Sequence, residues 1–369
     1  MVKIAYLRTT SIINDSRANK EINTYAEQNN FIYVFGWDRQ NLNKDKLQNC
    51  DNIQFIMYNQ KSNYGDGVKN IFKLLKFELW LHKNLKKMIN EIDVIHACDF
   101  DTAYIGYKIA RKYNKKFIYD IYDYYVDCHN LYFLKRFIEN IDISIINRSD
   151  VVILCTEQRS EQIKKSQPKR IEIIHNTPDI KKEYIATKFD EKNIKICYVG
   201  ILQDDRLLIE IGNSISKYSN VELHIGGFGK YENFFENLSQ KNKNVFFYGQ
   251  MKYDDVLNLE SKCDVLFATY NPDVPNHKYS APNKVYEAMA LGKPIVVCKN
   301  TGVDQLVRNE HIGYVINYDA KDFFNCIEKI SAGEYESISK VGKYLYCEKY
   351  KWDVMKEKMK KIINDIEVK

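Results

Sequence analysis

The chain has 369 residues, 45% of them hydrophobic, and a formal net charge of +6 at pH 7. Its length exceeds one compact core, which predicts two domains, and no apolar run approaches the ~20 residues of a membrane span. Nine cysteines are scattered without a Cys-x-x-Cys pair, which is typical of a reducing cytoplasm and disfavours a disulfide framework or a zinc site. The positive charge suits anionic ligands or an anionic membrane surface and does not require nucleic acid.

Short β-branched or aromatic runs alternate with longer amphipathic stretches along the whole chain. The first half predicts strands at 3–7, 31–36, 94–97, 117–121, 151–155 and 171–174, and the second half at 194–199, 221–226, 245–248, 265–269, 295–298 and 313–316. Because the N-terminus becomes polar quickly, it predicts a first strand and not a signal peptide. Apolar strands alternating with helices predict an α/β fold with parallel sheets covered on both faces.

The same pattern predicts the domain boundaries. We expect one Rossmann-like domain over residues 1–178 and a second over 194–350, joined by a lysine- and aspartate-rich linker at 179–193. A last helix is expected within 351–369. The pattern leaves open whether this helix packs on the second domain or crosses back to the first.

Residues 69–91 form a basic amphipathic stretch in which Phe72, Leu75, Leu79 and Trp80 are expected to line one apolar side. Two interpretations of this stretch remain open. The first is contact with the headgroup region of an anionic membrane. The second is an ordinary helix that packs its apolar face on the first sheet.

The segment from 276 to 299 predicts a polar loop, a short helix and a buried strand. Pro282 is expected in the first helical turn, where no N–H partner is needed, and Gly292 at the left-handed C-terminal cap. Free N–H groups at the helix start, together with Lys284, predict an anion site. Glu287 lies one turn later on the same side. The pairing suits a nucleotide sugar, which needs donors for its phosphates and a carboxylate for its ribose hydroxyls.

Glycines at 200, 226, 227 and 249 end three predicted strands of the second half, and the loop at 270–283 follows a fourth. Ligands of open α/β sheets collect beyond the carboxyl ends of the strands. With two such sheets facing each other, we expect a cleft between the domains, with donor and acceptor on opposite walls.

Five motifs follow one another in the second half. They are Tyr-Val-Gly-Ile-Leu at 198–202 with Arg206, His-Ile-Gly-Gly-Phe-Gly at 224–229, Val-Phe-Phe-Tyr-Gly-Gln at 245–250, Ala-Pro-Asn-Lys-Val-Tyr-Glu-Ala-Met-Ala-Leu-Gly-Lys-Pro at 281–294, and Thr-Gly-Val at 301–303. In this order and spacing they resemble family 4 glycosyltransferases of the two-Rossmann GT-B architecture. The resemblance covers essentially the whole chain and is strongest from 194 to 316.

The resemblance implies retaining, metal-independent transfer from a nucleotide sugar to a saccharide acceptor, without a cofactor. Bacterial members that build capsule or O-antigen commonly use lipid-linked acceptors, which implies a cytoplasmic protein at the inner face of the cell membrane. The resemblance also assigns roles to residues. Arg206 and Lys284 are the expected catalytic pair on the pyrophosphate, Glu287 the ribose ligand, and Gln250 and Met251 the base contacts. The other expected donor contacts are Gly200, Gly249, Tyr279, Ser280, Ala281, Pro282 and Asn283; Tyr122 and Asp123 are the expected catalytic residues of the acceptor domain, and Arg17 the acceptor ligand.

Two departures from the family pattern keep an alternative open. Tyr279 occupies the position of the family's first glutamate, eight residues before Glu287, and Tyr122 and Asp123 stand where a His-Asp or His-Glu pair is common. A catalytically silent member that binds a nucleotide or glycan and acts through partners is therefore the alternative function. A GT-B epimerase or phosphorylase matches the Glu287 region less well. For Arg206, which follows two aspartates, a surface ion pair is the alternative role.

Overall fold

The computed structural model describes residues 1–39, 51–62, 68–128, 131, 134–185 and 188–367. The chain divides into two compact units, one comprising Met1–His175 with Met355–Lys369 and the other Asn176–Val354. Residues 186 and 187 of the predicted linker lie outside the described residues. The last helix, α13 (Trp352–Glu367), begins in the second unit, and its residues from Met355 onward group with the first. There Lys356 forms an ion pair with Glu27, at 2.7 Å.

The first unit contains a parallel sheet of seven strands in the order β3-β2-β1-β4-β5-β6-β7. Its apolar core lies between the sheet and its helices, because nearly every residue of the central strands is buried. The strands are β1 (Lys3–Leu7), β2 (Phe31–Asp38), β3 (Ile53–Asn59), β4 (Val94–Cys98), β5 (Lys116–Ile121), β6 (Val151–Leu154) and β7 (Ile171–Ile173), and the helices are α1 (Ser16–Glu27), α2 (Val68–Met88), α3 (Phe100–Lys112), α4 (Tyr125–Cys128) and α5 (Lys135–Arg148).

The second unit contains a parallel sheet of six strands in the order β10-β9-β8-β11-β12-β13. Alternate residues of its central strand enter separate apolar clusters, with Ile196 and Tyr198 in one and Cys197 and Val199 in the other. The strands are β8 (Ile194–Ile201), β9 (Val221–Phe228), β10 (Val245–Phe247), β11 (Val265–Ala268), β12 (Ile295–Cys298) and β13 (Gly313–Ile316), and the helices are α6 (Leu208–Ser214), α7 (Glu232–Lys241), α8 (Tyr253–Lys262), α9 (Asn283–Leu291), α10 (Val303–Asn309), α11 (Ala320–Ile327) and α12 (Ala332–Leu345).

The predicted α/β fold with two parallel-sheet, Rossmann-like domains is confirmed, and one strand was missed. Strand β3 pairs in parallel with β2 at the edge of the first sheet. Its burial is mostly intermediate, because an edge strand is covered less than a central one. Its sequence therefore lacks the continuous β-branched run that identified the central strands.

Helix α9 differs from expectation at its start and agrees at its end. Pro282 has φ −68° and ψ 133°, so it is the extended N-cap residue and not a residue of the first turn. Gly292 has φ 65° and ψ 44°, which is the expected left-handed cap.

Helix α2 carries two apolar faces, so the expected single face was wrong. Phe77, Leu81 and Leu85 are buried in the first core, and Trp80 packs against that core instead of lining the outward side. On the opposite side, Phe72, Leu75 and Leu79 are exposed by 67%, 49% and 72%. Among the residues that the structure describes, every helix is too short or too polar to cross a membrane.

Candidate functional site

The strand ends of the second unit approach one another closely, and glycines permit this approach. A Cβ atom on Gly227 would lie 1.7 Å from the carbonyl oxygen of Gly200 on the neighbouring strand. Gly227 has φ +128° and Gly249 has φ +61°, and the Gly227 N–H donates to the Gly249 carbonyl over 2.6 Å. Glycine at position 227 therefore allows the two strand ends to approach more closely than a side chain would permit. Two predicted donor contacts, Gly200 and Gly249, thus lie together.

Lys284, the second residue of α9, points toward these strand ends. Its Nζ atom lies 4.5 Å from the centroid of the Tyr198 ring, and a Cβ atom on Gly200 would be only 3.0 Å from that Nζ. Burial opposes the charge, but neighbouring groups outweigh it and raise the pKa of Lys284 above its usual value. The ammonium therefore adds its charge to the positive dipole at the start of α9. The neighbouring groups are Tyr198, Tyr270, Glu287 and Glu260.

Arg206, the second predicted phosphate residue, is held by neutral groups. Its guanidinium lies over the Tyr270 ring, 4.0 Å from the centroid. Its Nη1 donates to Nε2 of His277 over 2.7 Å and to the carbonyl of Asp205 over 3.1 Å. The carboxylate of Asp204 pairs instead with Lys230, at 2.7 Å, and that of Asp205 accepts from the Asn271 side chain over 2.9 Å. The alternative ion pair of Arg206 with either aspartate is therefore not found among the described residues.

The two cations converge on the same pair of rings. Burial raises the pKa of Tyr198, and the charges of both Lys284 and Arg206 act on it in the opposite direction. Tyr270 lies against Arg206 and also raises the pKa of Lys284. Tyr198 belongs to β8 and Tyr270 follows β11, which are neighbouring strands. The structure therefore brings two positive charges to the carboxyl ends of adjacent strands, an arrangement suited to a pyrophosphate.

Glu287, the predicted ribose ligand, is only 4% exposed. The hydroxyl of Tyr253 donates to its Oε1 over 2.9 Å, which fixes the orientation of the carboxyl group. Glu260 is buried nearby, and burial followed by the charge of Glu287 raises the pKa of Glu260 well above its usual value. The charge of Lys284 acts on Glu260 in the opposite direction.

The remaining predicted donor residues lie in two connections at the same strand ends. Met251 follows β10, and its Sδ would be 3.0 Å from a Cβ atom on Gly226, so a side chain there would require this thioether to shift. In the loop before α9, the Ser280 hydroxyl donates to the Thr301 carbonyl over 2.6 Å, which ties the loop to the end of β12. Their contacts with a donor stay predictions. The other members of these connections are Gln250, Tyr279, Ala281, Pro282 and Asn283.

In the first unit, Tyr122 and Asp123 follow β5, as expected for residues at a strand end. The Tyr122 ring lies between two guanidinium groups, 4.1 Å from Arg8 and 4.4 Å from Arg17. Asp123 is exposed and accepts a hydrogen bond from Arg159 over 3.0 Å. Asp123 is therefore accessible to an acceptor, whereas Tyr122 is enclosed by cations. Their catalytic roles stay predictions.

Arg17 occupies a different environment from the one predicted for an acceptor ligand. It is 3% exposed and forms ion pairs with Glu21 at 2.8 Å and Asp120 at 3.0 Å. It also donates to the Ile174 carbonyl over 2.9 Å. Because its donors serve buried internal partners, the geometry favours a structural role for Arg17 over acceptor binding.

The carboxylates around Arg17 belong to a buried polar cluster. Glu21, His96, Cys98 and Asp120 each offer a potential metal-ligand atom, and these atoms lie within 4.8 Å of one another. His96 approaches Asp120 to 3.4 Å. Arg17 pairs with both carboxyl groups, and burial raises the pKa of Glu21 to about 7, so we assign no metal to this cluster.

Two family models match the sequence. The model described as "Glycosyl transferases group 1" matches residues 179–346, and the model described as "Glycosyltransferase Family 4" matches residues 58–182. Together the two models match residues 58–346, which supports a glycosyltransferase. A search of curated protein sequences finds no match.

Solved structures share the fold of this chain at low sequence identity. Sucrose-phosphate synthase from Thermosynechococcus elongatus is 15% identical with a TM-score of 0.78, and the match covers 100% of both chains. Anabaena Alr3699/HepE in complex with UDP is 14% identical with a TM-score of 0.75, covering 99% of this chain and 100% of that one. WaaG, a glycosyltransferase involved in lipopolysaccharide biosynthesis, is 14% identical with a TM-score of 0.62, covering 97% and 98%.

Several side chains of the candidate site were not found from the sequence. His277 and Tyr270 hold Arg206, and Tyr253 holds Glu287. Position after a strand end was the available signal for Tyr270 and His277, since both fall in the loop at 270–283. Tyr253 begins α8, and nothing in the local pattern distinguishes it from an ordinary helix residue.

Proposed function

We propose that the protein transfers a glycosyl group from a nucleotide sugar to a saccharide acceptor, with retention of anomeric configuration and without a metal ion. The observation that carries the proposal is the convergence of Arg206 and Lys284 on Tyr198 and Tyr270 at the ends of β8 and β11. Two fixed cations beside the start of α9 supply the positive charge that metal-dependent transferases take from a divalent ion.

Transfer breaks the bond between C1 of the sugar and the β-phosphate oxygen and forms a bond between C1 and the acceptor oxygen on the same face. The leaving phosphate gains negative charge as the sugar becomes oxocarbenium-like, and the acceptor proton passes to that phosphate. Lys284 stays protonated because of its neighbours, so it stabilises the departing group throughout. Glu287, oriented by Tyr253, is assigned to the ribose hydroxyls.

A thermal-shift panel of nucleotide sugars, followed by assay of nucleoside diphosphate release, tests this function. A specific donor is expected to raise the melting temperature by mass action, and the purified protein is expected to release nucleoside diphosphate from that donor. Stabilisation without any release, even with candidate acceptors present, would instead support the catalytically silent binder.

We place the acceptor among lipid-linked saccharides of surface polysaccharide synthesis, with the protein at the inner face of the membrane. Two structural neighbours act in lipopolysaccharide synthesis: WaaG, and WaaB, which is an outer core galactosyltransferase. Support within this chain comes from the outward face of α2, which we define by its exposed apolar and basic residues. They are Phe72, Leu75, Leu79, Lys76, Lys83, Lys86 and Lys87. Apolar groups flanked by lysines suit an anionic bilayer surface.

Co-sedimentation with anionic vesicles at low salt tests the membrane assignment. Replacing Lys76, Lys83 and Lys86 by Glu is expected to abolish binding, since each basic residue near such a surface contributes roughly 1 kcal/mol. The matched control replaces Lys217, Lys241 and Lys243, which are exposed on the second unit, and changes net charge equally. Equal loss of binding in both triple variants would show a non-specific charge effect and refute the assignment to α2.

A further inference from the structure

His277 is fixed in one tautomer by its two hydrogen-bonding partners. It lies in a short 3-10 helix at Pro275–Tyr279 and is 8% exposed. Its Nδ1 is 2.8 Å from the carbonyl oxygen of Asn271, which can only accept a hydrogen bond. Its Nε2 is 2.7 Å from Nη1 of Arg206, which can only donate. The proton of the neutral ring therefore lies on Nδ1, and the Nε2 lone pair receives Arg206.

Other contacts besides the one with His277 hold Arg206 in place. The Asn271 N–H donates to the Asp205 carbonyl over 3.0 Å, and the Asn271 side chain donates to the Asp205 carboxylate over 2.9 Å. The Tyr270 ring covers one face of the guanidinium. Among these contacts, His277 is the one that accepts from Nη1 of the guanidinium through a titratable side chain.

We propose that His277 is a positioning residue for donor binding, and that its neutral imidazole holds Arg206 toward the donor pyrophosphate. The assignment rests on the proposed function, in which Arg206 contacts that pyrophosphate. A second proton on His277 would place an N–H against the guanidinium and set two positive charges 2.7 Å apart. The two groups would then separate, and Arg206 would lose its orientation.

The groups that face His277 favour the neutral ring. Burial, and then the positive charge of Arg206, lower the pKa of His277, while the Asn271 carbonyl and the Asp205 carboxylate act in the opposite direction. The Tyr270 ring meets the imidazole edge-on at 5.2 Å and carries no charge. The net shift is downward, so the imidazole is neutral at neutral pH and takes up a proton only in more acidic solution.

We expect donor KM to rise in acidic solution because one histidine, His277, binds a proton; this rise is called the acid limb below. If only the neutral form holds Arg206, one pH unit below the pKa of His277 the competent fraction is about one-tenth, and donor KM rises roughly tenfold. A nucleotide sugar is a pyrophosphate diester without a group that titrates in this range, so the donor itself adds no such limb.

Two variants separate positioning from folding. His277→Gln places an amide oxygen near the Nε2 position and does not titrate, so we expect near-wild-type donor KM at about pH 8 and no acid limb down to about pH 5. His277→Leu removes the acceptor, so we expect KM raised at every pH, again without the limb. A histidine with a purely structural role would leave the same limb in the glutamine variant.

A measurement without donor tests the contact itself. With histidine labelled in ¹⁵N and the His277 signal assigned by its loss in His277→Gln, the ring nitrogens of wild type are expected to show the Nδ1–H tautomer. Arg206→Leu is expected to raise the pKa of His277, because it removes the neighbouring cation. An Nε2–H tautomer, or a pKa that Arg206→Leu leaves unchanged, would show that the pair does not exist in solution.

The donor experiment uses the nucleotide sugar that gives the largest thermal shift in the panel. A wild-type KM that stays flat through the pKa measured by NMR, or an acid limb that persists in His277→Gln, overturns the role of His277 and leaves the proposed function standing. If the Arg206–His277 pair is intact but the protein binds no nucleotide sugar at about pH 8 or at about pH 5, the proposed function is wrong. The role assigned to His277 then fails with it.

Discussion

Replacing Lys284 by Met tests whether its ammonium contacts the donor phosphates. The variant keeps most of the aliphatic stem beside Tyr198 and Gly200 and removes the charge. A charge-assisted hydrogen bond contributes ~1.5–3 kcal/mol, so kcat/KM is expected to fall roughly 10- to 150-fold at a tenfold change per ~1.4 kcal/mol. Because the leaving phosphate gains charge as the sugar departs, part of the loss is expected in kcat and not only in donor KM.

The assay is steady-state release of nucleoside diphosphate with circular dichroism as the check on folding. Lys278→Met is the matched control, because Lys278 is an exposed lysine six residues away, and it is expected to change kcat/KM less than about twofold. Lys284 also neighbours the buried carboxyl groups of Glu260 and Glu287. Because the pKa of Glu260 is raised, this carboxyl group can bind a proton when Lys284 is replaced, which offsets part of the lost positive charge. A folded Lys284→Met variant with kcat/KM within about threefold of wild type would refute the phosphate assignment.

Three further predictions concern the ribose, the metal and the buried arginine. Glu287→Gln keeps a carbonyl acceptor and loses the ionic hydrogen bonds, so donor KM is expected to rise about five- to thirtyfold with a smaller fall in kcat; unchanged donor affinity in a folded variant would make Glu287 a structural carboxyl. Turnover is expected to survive EDTA, because fixed cations replace a metal; activity lost to EDTA and restored by magnesium or manganese contradicts that mechanism. Arg17→Leu is expected to lower the free energy of unfolding by about 3–5 kcal/mol in chemical denaturation, against little change for the exposed Arg111→Leu. In the wild type, Arg17 holds the pKa of Asp120 below its usual value against the effect of burial. Without Arg17, Asp120 is expected to bind a proton in the folded variant at about pH 5. The loss in free energy of unfolding should therefore be smaller at about pH 5 than at pH 8.

The fold could be predicted from the sequence because central strands of parallel sheets are continuous apolar runs. Both faces of such strands are buried, as in β4 and β12, where all residues are buried. The edge strand β3 lacked this signal, since one side of it is less covered. Periodicity alone also could not separate the two apolar faces of α2. Phe72 and Phe77 are equally apolar in sequence, and only packing buries one of them.

The candidate site was predictable where backbone chemistry fixes the residue type. Gly227 and Gly292 have positive φ, and Lys284 lies at a helix start, so local sequence carries their roles. The supporting side chains depend on how loops return to the strand ends. His277 reaches Arg206 across 71 positions of sequence, and Tyr253 reaches Glu287 across 34. Such pairings are set by tertiary packing, for which a single sequence holds no local pattern.

Charge compensation decides which arginine serves as a ligand-binding group. Arg17 and Arg206 both looked suitable in sequence, yet Arg17 is paired with two buried carboxylates, whereas Arg206 meets a neutral imidazole, an aromatic ring and a carbonyl. A guanidinium between two carboxylates has its charge cancelled and gains nothing from an added phosphate. A guanidinium held by neutral groups keeps its full charge while its orientation is fixed. Ligand binding then does not have to order this side chain, so less side-chain entropy is lost on binding. This difference favours Arg206 over Arg17 as the arginine of the proposed anion site, and it favours a structural role for Arg17 in the first unit.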